Sequence, residues 1–333
     1  MRRLAIIIGV LGVLHAQMAR SQSLAVEVDQ TLGHSTEEVT AVATQLRAFG
    51  EIKPGIRFAI EGAWGARSAD EGDAFESAFP YTERLQLMEA YGERIFAPGH
   101  GILAIRAGRY RTPFGIYNAS DHAYNGFQRA PLIRYDDFFA LSNTYLEHGA
   151  DVVLGTPRFS VETSLGVPGD AGESRRRSGV DAVMRGQSAI GSVILGLSYL
   201  RTRSNLSADL APGRAVFTGV DARWMHRGVQ LRGEWIWGQP YDGATTTGGY
   251  VDLIVHRPAM GPLTAVARAE RLSHDADPAS AVAGERYTAG SRIRLFDRLS
   301  AELAVIHQTQ ALSEHTFAAD FGVTYSFRRD PVR

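Results

Sequence analysis

The sequence predicts an all-β protein: a transmembrane, antiparallel, up-and-down β-barrel of about 16 strands, preceded by a cleaved signal peptide. Three observations lead to this prediction. Apolar and polar residues alternate with a period of two along most of the chain, in segments long enough for a tilted strand to cross a bilayer. Short linkers between these segments alternate with long polar ones. The N-terminus also carries the pattern of an export signal.

The first 21 residues are predicted to direct export and then to be removed. Arg2 and Arg3 precede an apolar run from residue 4 to residue 14, and Ala19-Arg20-Ser21 offers a small-x-small cleavage site. The apolar run is shorter than the ~20 residues that a spanning helix needs. We therefore expect residues 1–21 to be a signal peptide. Residues 22–333 would form a barrel in the outer membrane of a Gram-negative bacterium, reached through the periplasm.

Composition excludes several kinds of protein. The chain has no cysteine, which excludes a disulfide scaffold and cysteine-based metal or redox sites. Its formal net charge of −1 gives no reason to expect a nucleic-acid partner. Lysine occurs only as Lys53, so arginine supplies almost all the positive charge, and its planar guanidinium matches phosphate and carboxylate. The histidines are scattered without metal-ligand spacing, and we expect neither a metal nor a cofactor.

The alternation is clearest near the C-terminus, between Phe317 and Phe327, where large apolar residues alternate with small or polar ones. On this pattern one face of each strand meets lipid and the other meets the barrel interior. Six aromatic residues fall on the lipid-facing side, where belts at the membrane interfaces are a better interpretation than a ligand cage. These residues are Trp64, Trp224, Trp235, Trp237, Tyr325 and Phe327.

Sixteen segments read as strands, an even number, as in single-chain bacterial barrels; counts of 14 and 18 are also compatible with the pattern. This count puts both termini and every tight turn, including one at Arg185-Gly186-Gln187, on the periplasmic side. The predicted strands are 24–31, 36–49, 55–67, 83–96, 101–112, 144–155, 158–167, 178–186, 189–202, 214–225, 228–238, 248–257, 262–272, 285–296, 299–309 and 315–327.

Two stretches carry a resemblance to a known family. Glu89-Ala-Tyr-Gly-Glu-Arg-Ile-Phe96 is followed by a tight turn and then by Ala107-Gly-Arg-Tyr-Arg-Thr-Pro-Phe-Gly115. This succession resembles the phosphate-selective porin O/P family, which has an Ala-Tyr strand followed by a Gly-Lys-x-x-x-Pro-Phe-Gly-like strand. The chain departs from that pattern at Arg109, where the family has lysine, and in the six residues that follow the final aromatic residue. The resemblance implies a trimeric pore that prefers anions.

The longest predicted loop, residues 114–143, joins the fifth and sixth predicted strands. General porins fold a constriction loop into the pore at this place, and by that resemblance we expect this loop to constrict the pore. The alternative interpretation is a surface loop with an aromatic plug. The charged residues expected at the constriction are Arg129, Arg134, Asp136 and Asp137.

The inward face of the strands carries charges of both signs. Arginine rings favour anions and acidic rings favour cations, so the balance at the narrowest point sets the selectivity. Because the signs are mixed, we predict only a weak anion preference, and the alternative that these pairs brace adjacent strands stays open. The predicted pore-lining residues on the strands are Arg106, Arg223, Arg232, Glu234, Arg268, Glu270, Arg286, Arg292 and Arg294.

These features predict a porin that allows passive diffusion of small hydrophilic solutes, with a weak anion preference, phosphate being one candidate, and no enzymatic activity. Gly99-His-Gly-Ile-Leu-Ala104 matches a dinucleotide-binding fingerprint, but it precedes an alternating strand, so a hairpin turn is the better interpretation. A non-conducting structural or adhesive barrel and an outer-membrane lipid hydrolase stay open as alternatives. The expected partners are outer-membrane lipid and lipopolysaccharide, small anionic solutes, further copies in a homotrimer, and the barrel assembly machinery.

Overall fold

The structure, a computed structural model, describes residues 23–68, 85–97, 99–116, 127–134, 146–169, 177–204, 213–275, 281–312 and 315–329. These residues form 16 strands, in agreement with the predicted number. The strands are β1 Ser23–Ser35, β2 Thr40–Lys53, β3 Ile56–Arg67, β4 Gln86–Phe96, β5 Ile102–Arg111, β6 Leu146–Gly155, β7 Phe159–Pro168, β8 Arg177–Ile190, β9 Val193–Ser204, β10 Gly213–His226, β11 Val229–Gln239, β12 Thr245–Val255, β13 Leu263–Asp275, β14 Val282–Phe296, β15 Leu299–Gln308 and β16 Phe317–Arg329.

The strands close into a single antiparallel barrel. Each strand pairs with its neighbours in sequence, and β1 pairs with β16 from Val26 opposite Arg329 to Ser35 opposite Asp320. Closure leaves no free sheet edge, so the backbone donors and acceptors of every strand find partners within the sheet. The predicted up-and-down barrel is therefore confirmed. In the described part of the chain, no helix is long and apolar enough to cross a membrane.

The two ends of the barrel differ in their connections. Short turns close β2–β3, β4–β5, β6–β7, β8–β9, β10–β11, β12–β13 and β14–β15 at one end, which we call the short-turn rim. The ends of β1 and β16 nearest the chain termini lie at this same rim. The opposite end, the long-loop rim, carries the other connections, the longest of which joins β5 to β6 across residues 112–145.

The first hairpin lies further along the chain than the alternation predicted. β1 runs to Ser35 instead of residue 31, and the turn occupies residues 36–39, with Glu38 at a φ of 62°. Gly33, which lies beyond the predicted end of this strand, is a paired strand residue opposite both Ala41 and Gly322. Its lack of a side chain suits the inward face, where Asp29 and Thr31 precede it.

A second predicted turn, at Arg185-Gly186-Gln187, is wrong. All three residues belong to β8, and the turn follows at Gly191, whose φ of 61° only glycine adopts readily. Gly186 is a strand residue, and a Cβ there would meet no atom within 4 Å. A glycine inside an otherwise alternating segment does not by itself mark a turn.

Side chains sort by face as the alternation predicted. On β9, Leu195, Leu197 and Tyr199 are exposed on the exterior, whereas Ser198 and Leu200 are buried inside. The outward faces also carry the six aromatic residues singled out from the sequence. Trp224, Tyr325 and Phe327 stand near the short-turn rim, Trp64 and Trp237 nearer the long-loop rim, and Trp235 opposite Val220 between them.

Candidate functional site

A row of paired charges lines the inward faces of β11 to β14. Nη2 of Arg232 lies 2.9 Å from Oδ2 of Asp252, and Nε of Arg268 lies 2.6 Å from Oδ1 of the same carboxylate. One step nearer the long-loop rim, Nε of Arg286 lies 2.6 Å from Glu270. These pairs join neighbouring strands in register, since Asp252 stands opposite both Arg232 and Arg268. The row thus links four strands through side chains as well as backbone.

Residues 127–134 of the β5–β6 loop lie inside the barrel against this row. Arg268 donates to the carbonyl oxygen of Arg129 at 2.9 Å, and Arg286 donates to the carbonyl oxygen of Ala130 at 2.5 Å. Buried carbonyl groups outside regular structure need such partners. The wall arginines therefore hold the loop backbone as well as their own carboxylates.

The side chain of Arg129 ties the loop to the seam where the barrel closes. Its Nε and Nη2 donate to the two carboxylate oxygens of Asp320 on β16, at 2.7 and 2.9 Å. Glu37, in the turn after β1, lies 3.2 Å from the same guanidinium. The neighbouring Gln128 donates to Glu302 on β15 at 3.2 Å. The loop thus contacts three elements of the wall that are distant in sequence.

The first part of the same loop crosses toward the opposite wall. Phe114 is fully buried, and the amide of Gly115 donates to Ser198 on β9 at 3.1 Å. Gly115 has a φ of 68°, and a Cβ built there would lie 1.6 Å from Oε1 of Glu234. Arg134 donates to both oxygens of that carboxylate, at 2.7 and 2.8 Å. The turn at Gly115 therefore requires the absence of a side chain.

An apolar cluster fills part of the interior near these loop contacts. Loop residues meet inward side chains of the wall, and all members are buried. Apolar side chains inside a barrel leave that sector without room for water, because such groups pack to the density of a protein core. The cluster comprises Phe114, Ile116, Ala130, Leu132, Ile133, Val183, Leu200, Ala215, Phe217, Ile236, Tyr250 and Leu272.

A polar cavity of about 300 Å³ remains between the loop and the wall. Five arginines and three glutamates from β2, β3, β4, β5, β7, β8 and β10 line it, while Thr112, Pro113, Gly115 and Ile116 of the loop close one side. The charged residues are Arg47, Arg106, Arg111, Arg185, Arg223, Glu61, Glu89 and Glu162. Glu93 and Asp151 also pair with Arg106, and Asp221 pairs with Arg185, so the compensation of each arginine has to be considered separately.

The cavity arginines differ in how their charge is compensated. Arg106 lies between Asp151 at 3.6 Å and Glu162 at 3.8 Å. Arg223 instead donates to the neutral amide oxygen of Gln187 at 2.6 Å, and no described carboxylate lies within 4 Å of it. Among the described residues of the cavity wall, Arg223 is the guanidinium whose charge is least compensated.

The structure separates the predicted pore-lining residues into groups. Arg106 and Arg223 line the cavity, and Arg292 and Arg294 line a second cavity of about 230 Å³ at the short-turn rim. Asp136 and Asp137 lie outside the described residues. The remaining predicted residues are buried, either in the loop or on the inward faces of β11 to β14: Arg129, Arg134, Arg232, Glu234, Arg268, Glu270 and Arg286.

The residue that stands at the family's lysine position does not reach the interior. Arg109 donates to Nε2 of the exposed His148 at 2.7 Å and to the carbonyl oxygen of Met88 at 3.2 Å. Arg111, two residues on, points to the cavity and pairs with Glu61. Arg106 and Arg111 are five residues apart, so strict alternation would put them on opposite faces of β5. The backbone between them is irregular at Gly108, whose φ is 134°.

Sequence reasoning also missed the acidic side of the cavity. Glu61, Glu89 and Glu162 lie on the inward faces of β3, β4 and β7, and Arg47 of β2 lies within 4 Å of the first two. The alternation within the predicted strands could have assigned these three glutamates to the interior. Within the described residues, no group of three or more His, Cys, Asp or Glu side chains could hold a metal ion.

Solved structures with this barrel include several bacterial proteins. OprB of Pseudomonas putida matches with a TM-score of 0.66 and 9% identity, covering 95% of this chain and 96% of that chain. OmpF of Salmonella typhi, in complex with daunomycin, matches with a TM-score of 0.65 and 11% identity over 91% and 97% of the two chains. OmpT, an outer-membrane protein of Vibrio cholerae in a trimer form, matches at 0.60 and 8% identity over 91% and 98%.

The sequence itself matches no protein-family model and no curated protein. At identities this low, the structural likeness shows a shared fold, and the residues of the interior have to be interpreted from their own geometry. The chain therefore has the closed 16-strand antiparallel barrel found in outer-membrane porins.

Proposed function

We propose that this chain is an outer-membrane porin that allows small hydrophilic solutes to diffuse passively and prefers anions weakly. The polar cavity beside the loop, with five arginines and three glutamates, is the observation that carries the proposal. A polar interior within an outward apolar face is what a water-filled membrane channel requires. Because the loop is held against the barrel wall, it would narrow the channel and set the width of the path that solutes take.

The proposed preference for anions rests on the compensation of individual charges. Most of the described arginines inside the barrel form ion pairs with carboxylates, so they add little to the electrostatic potential of the channel. Arg223 donates to the neutral amide of Gln187, so its charge is not compensated by that partner. Arg106, by contrast, lies within 4 Å of Asp151 and Glu162. Selectivity is set by the local sign at the narrowest point. Phosphate is one candidate solute by the resemblance to phosphate-selective porins, but Arg109, at that family's lysine position, lies outside the cavity and would not contact it.

Single-channel recording tests the pore. The purified protein, refolded and added to a planar bilayer, should produce stepwise increases in current in potassium chloride. Stable insertion, shown by co-flotation with the lipid, without any step in current would contradict the pore while leaving the barrel intact.

A non-conducting structural barrel is the second candidate, and one observation favours it. The apolar cluster around Phe114, Ile133 and Phe217 fills part of the interior, as a plug would. Liposome swelling distinguishes the two candidates, because a plugged barrel would admit neither small sugars nor salts at any protein density.

We further propose that the protein assembles as a homotrimer, since one structural neighbour is described in a trimer form. Outer-membrane lipid and the barrel assembly machinery are its proposed partners. Analytical ultracentrifugation in a density-matched detergent measures the oligomeric state directly, and a monomer at all concentrations would contradict the trimer.

A further inference from the structure

The exterior of β9 changes abruptly from apolar to basic as it approaches the long-loop rim. Leu195, Leu197 and Tyr199 point outward in succession, and the next two outward positions are Arg201 and Arg203. All five side chains are exposed, whereas the intervening side chains from residue 198 to residue 204 are buried inside the barrel. The strand therefore presents its arginines at the upper border of an apolar surface.

A third arginine completes this group on the adjacent strand. Arg214 of β10 is exposed and stands directly opposite Arg203 in the ladder, where Cβ atoms of paired residues lie about 4.5–5.5 Å apart. Like charges at that separation destabilise a sheet. Within the described residues, none of the three guanidinium groups forms an ion pair. At the same rim, Arg271 of β13 instead stands opposite Glu285. Among the described residues, these three arginines therefore have no acidic partner of the kind that Arg271 has.

Below the three arginines the exterior is suited to acyl chains. Val180 and Met184 of β8 and Leu197 of β9 are each more than half exposed, and Tyr199 stands beside them at 40%. The step from Arg201 to Leu197 spans four residues, about 13 Å along the strand. A ligand that fits both surfaces carries anionic groups above and hydrocarbon below. That combination belongs to a phosphorylated lipid and is absent from a free anion.

We propose that Arg201, Arg203 and Arg214 form a site on the barrel exterior for the phosphate groups of an outer-leaflet lipid of the lipopolysaccharide class. The inference rests on the outer-membrane location in the proposed function, which directs the long-loop rim to the cell surface. Arginine forks bind phosphate oxygens bidentately. A phosphate between Arg203 and Arg214 would also remove their mutual repulsion, so binding is expected to favour this strand pair.

Lipid binding by the full-length protein in detergent tests the site. The probes are lipopolysaccharide with its lipid A phosphates, the same lipid after dephosphorylation, and inorganic phosphate as a competitor. The triple variant Arg201→Gln, Arg203→Gln, Arg214→Gln should bind the phosphorylated lipid at least ~10-fold more weakly than the wild type, because each arginine near an anionic lipid surface contributes to attraction. The wild type should bind the dephosphorylated lipid about as weakly as the variant does.

A matched control removes the same charge from the opposite rim. Arg158, Arg227 and Arg257 are exposed in turns of the short-turn rim, and their triple glutamine variant should bind like the wild type. Equal binding by wild type and the β9–β10 variant would overturn the site. So would displacement of the lipid by inorganic phosphate at comparable concentration, since that result would indicate a free-anion site. Binding is measured without current, so a barrel that binds lipid but does not conduct contradicts only the pore.

Discussion

Arg134 and Glu234 lie 100 residues apart in the chain and form a fully buried pair inside the barrel, in which Nη2 of the arginine donates to both carboxylate oxygens. Arg134 ends the short 3₁₀ turn of the loop, and Glu234 belongs to β11. The pair therefore fixes the loop to the wall. Removing one partner leaves an uncompensated charge buried inside the protein, which costs more than the pair itself contributes.

A double-mutant cycle on this pair is the first prediction. Arg134→Met or Glu234→Leu alone should lower the free energy of unfolding by roughly 3–5 kcal/mol, because each leaves one buried charge alone. The double variant should recover most of that loss, since two apolar side chains of similar volume can replace a buried ion pair. Urea titration followed by tryptophan fluorescence measures all three variants. Additive losses in the double variant would show that the two residues do not interact.

Gly115 provides a second test of the path of the loop. Gly115→Ala should destabilise the protein by at least ~1–2 kcal/mol, the usual cost of a left-handed conformation for a residue with a Cβ. The collision with Glu234 should add to that cost and displace the loop. Gly186→Ala is the control, because a Cβ there meets no atom within 4 Å and the φ of Gly186 is not positive. Equal stability of the two variants would contradict the described turn.

The contact between Arg129 and Asp320 predicts how the loop affects conductance. Arg129→Gln removes the bidentate hold on β16, so the loop should move more freely and the single-channel current should rise and fluctuate. Arg328→Gln is the control, since it breaks an exposed pair with Glu27 at the short-turn rim, far from the loop. An Arg129→Gln channel with unchanged, steady current would argue against a constriction formed by this loop.

The four tryptophans predict the orientation of the barrel in a membrane. All point outward, with Trp235 opposite Val220 at the middle of β10 and Trp224 two residues from the end of that strand. In variants that keep one tryptophan, Trp235 should be quenched most by lipids brominated near the chain ends, and Trp224 by lipids brominated near the headgroup. The reverse order of depths would contradict a lipid bilayer whose centre lies near Trp235.

The sequence predicted the architecture well because the alternation in each strand is a local signal. Trp64, Trp235 and Tyr325 could be assigned to the exterior from residue parity alone, without knowledge of the partner strand. The wrong turn predicted at Gly186 has a physical cause. Glycine serves both in turns and at strand positions where a side chain is not required, and a single sequence does not distinguish the two uses.

The interior could be predicted only in part. Arg223 and Arg106 were assigned to the pore from parity, and both line the cavity. The partner of Arg134 could not be predicted, because Glu234 becomes its neighbour only through the path of an irregular loop across the barrel. The burial of Phe114 was also hidden, since nothing in a loop sequence indicates which side chains will pack against a distant wall.

The reversal potential of single channels under a potassium chloride gradient tests the central claim most directly. The wild type should show a chloride-to-potassium permeability ratio above one, and Arg223→Gln should lower that ratio because it removes the least compensated charge of the described cavity wall. The exterior variant Arg271→Gln should leave the ratio unchanged. A wild-type channel that favours potassium, or an Arg223→Gln channel with the wild-type ratio, would contradict an anion-preferring path past this residue.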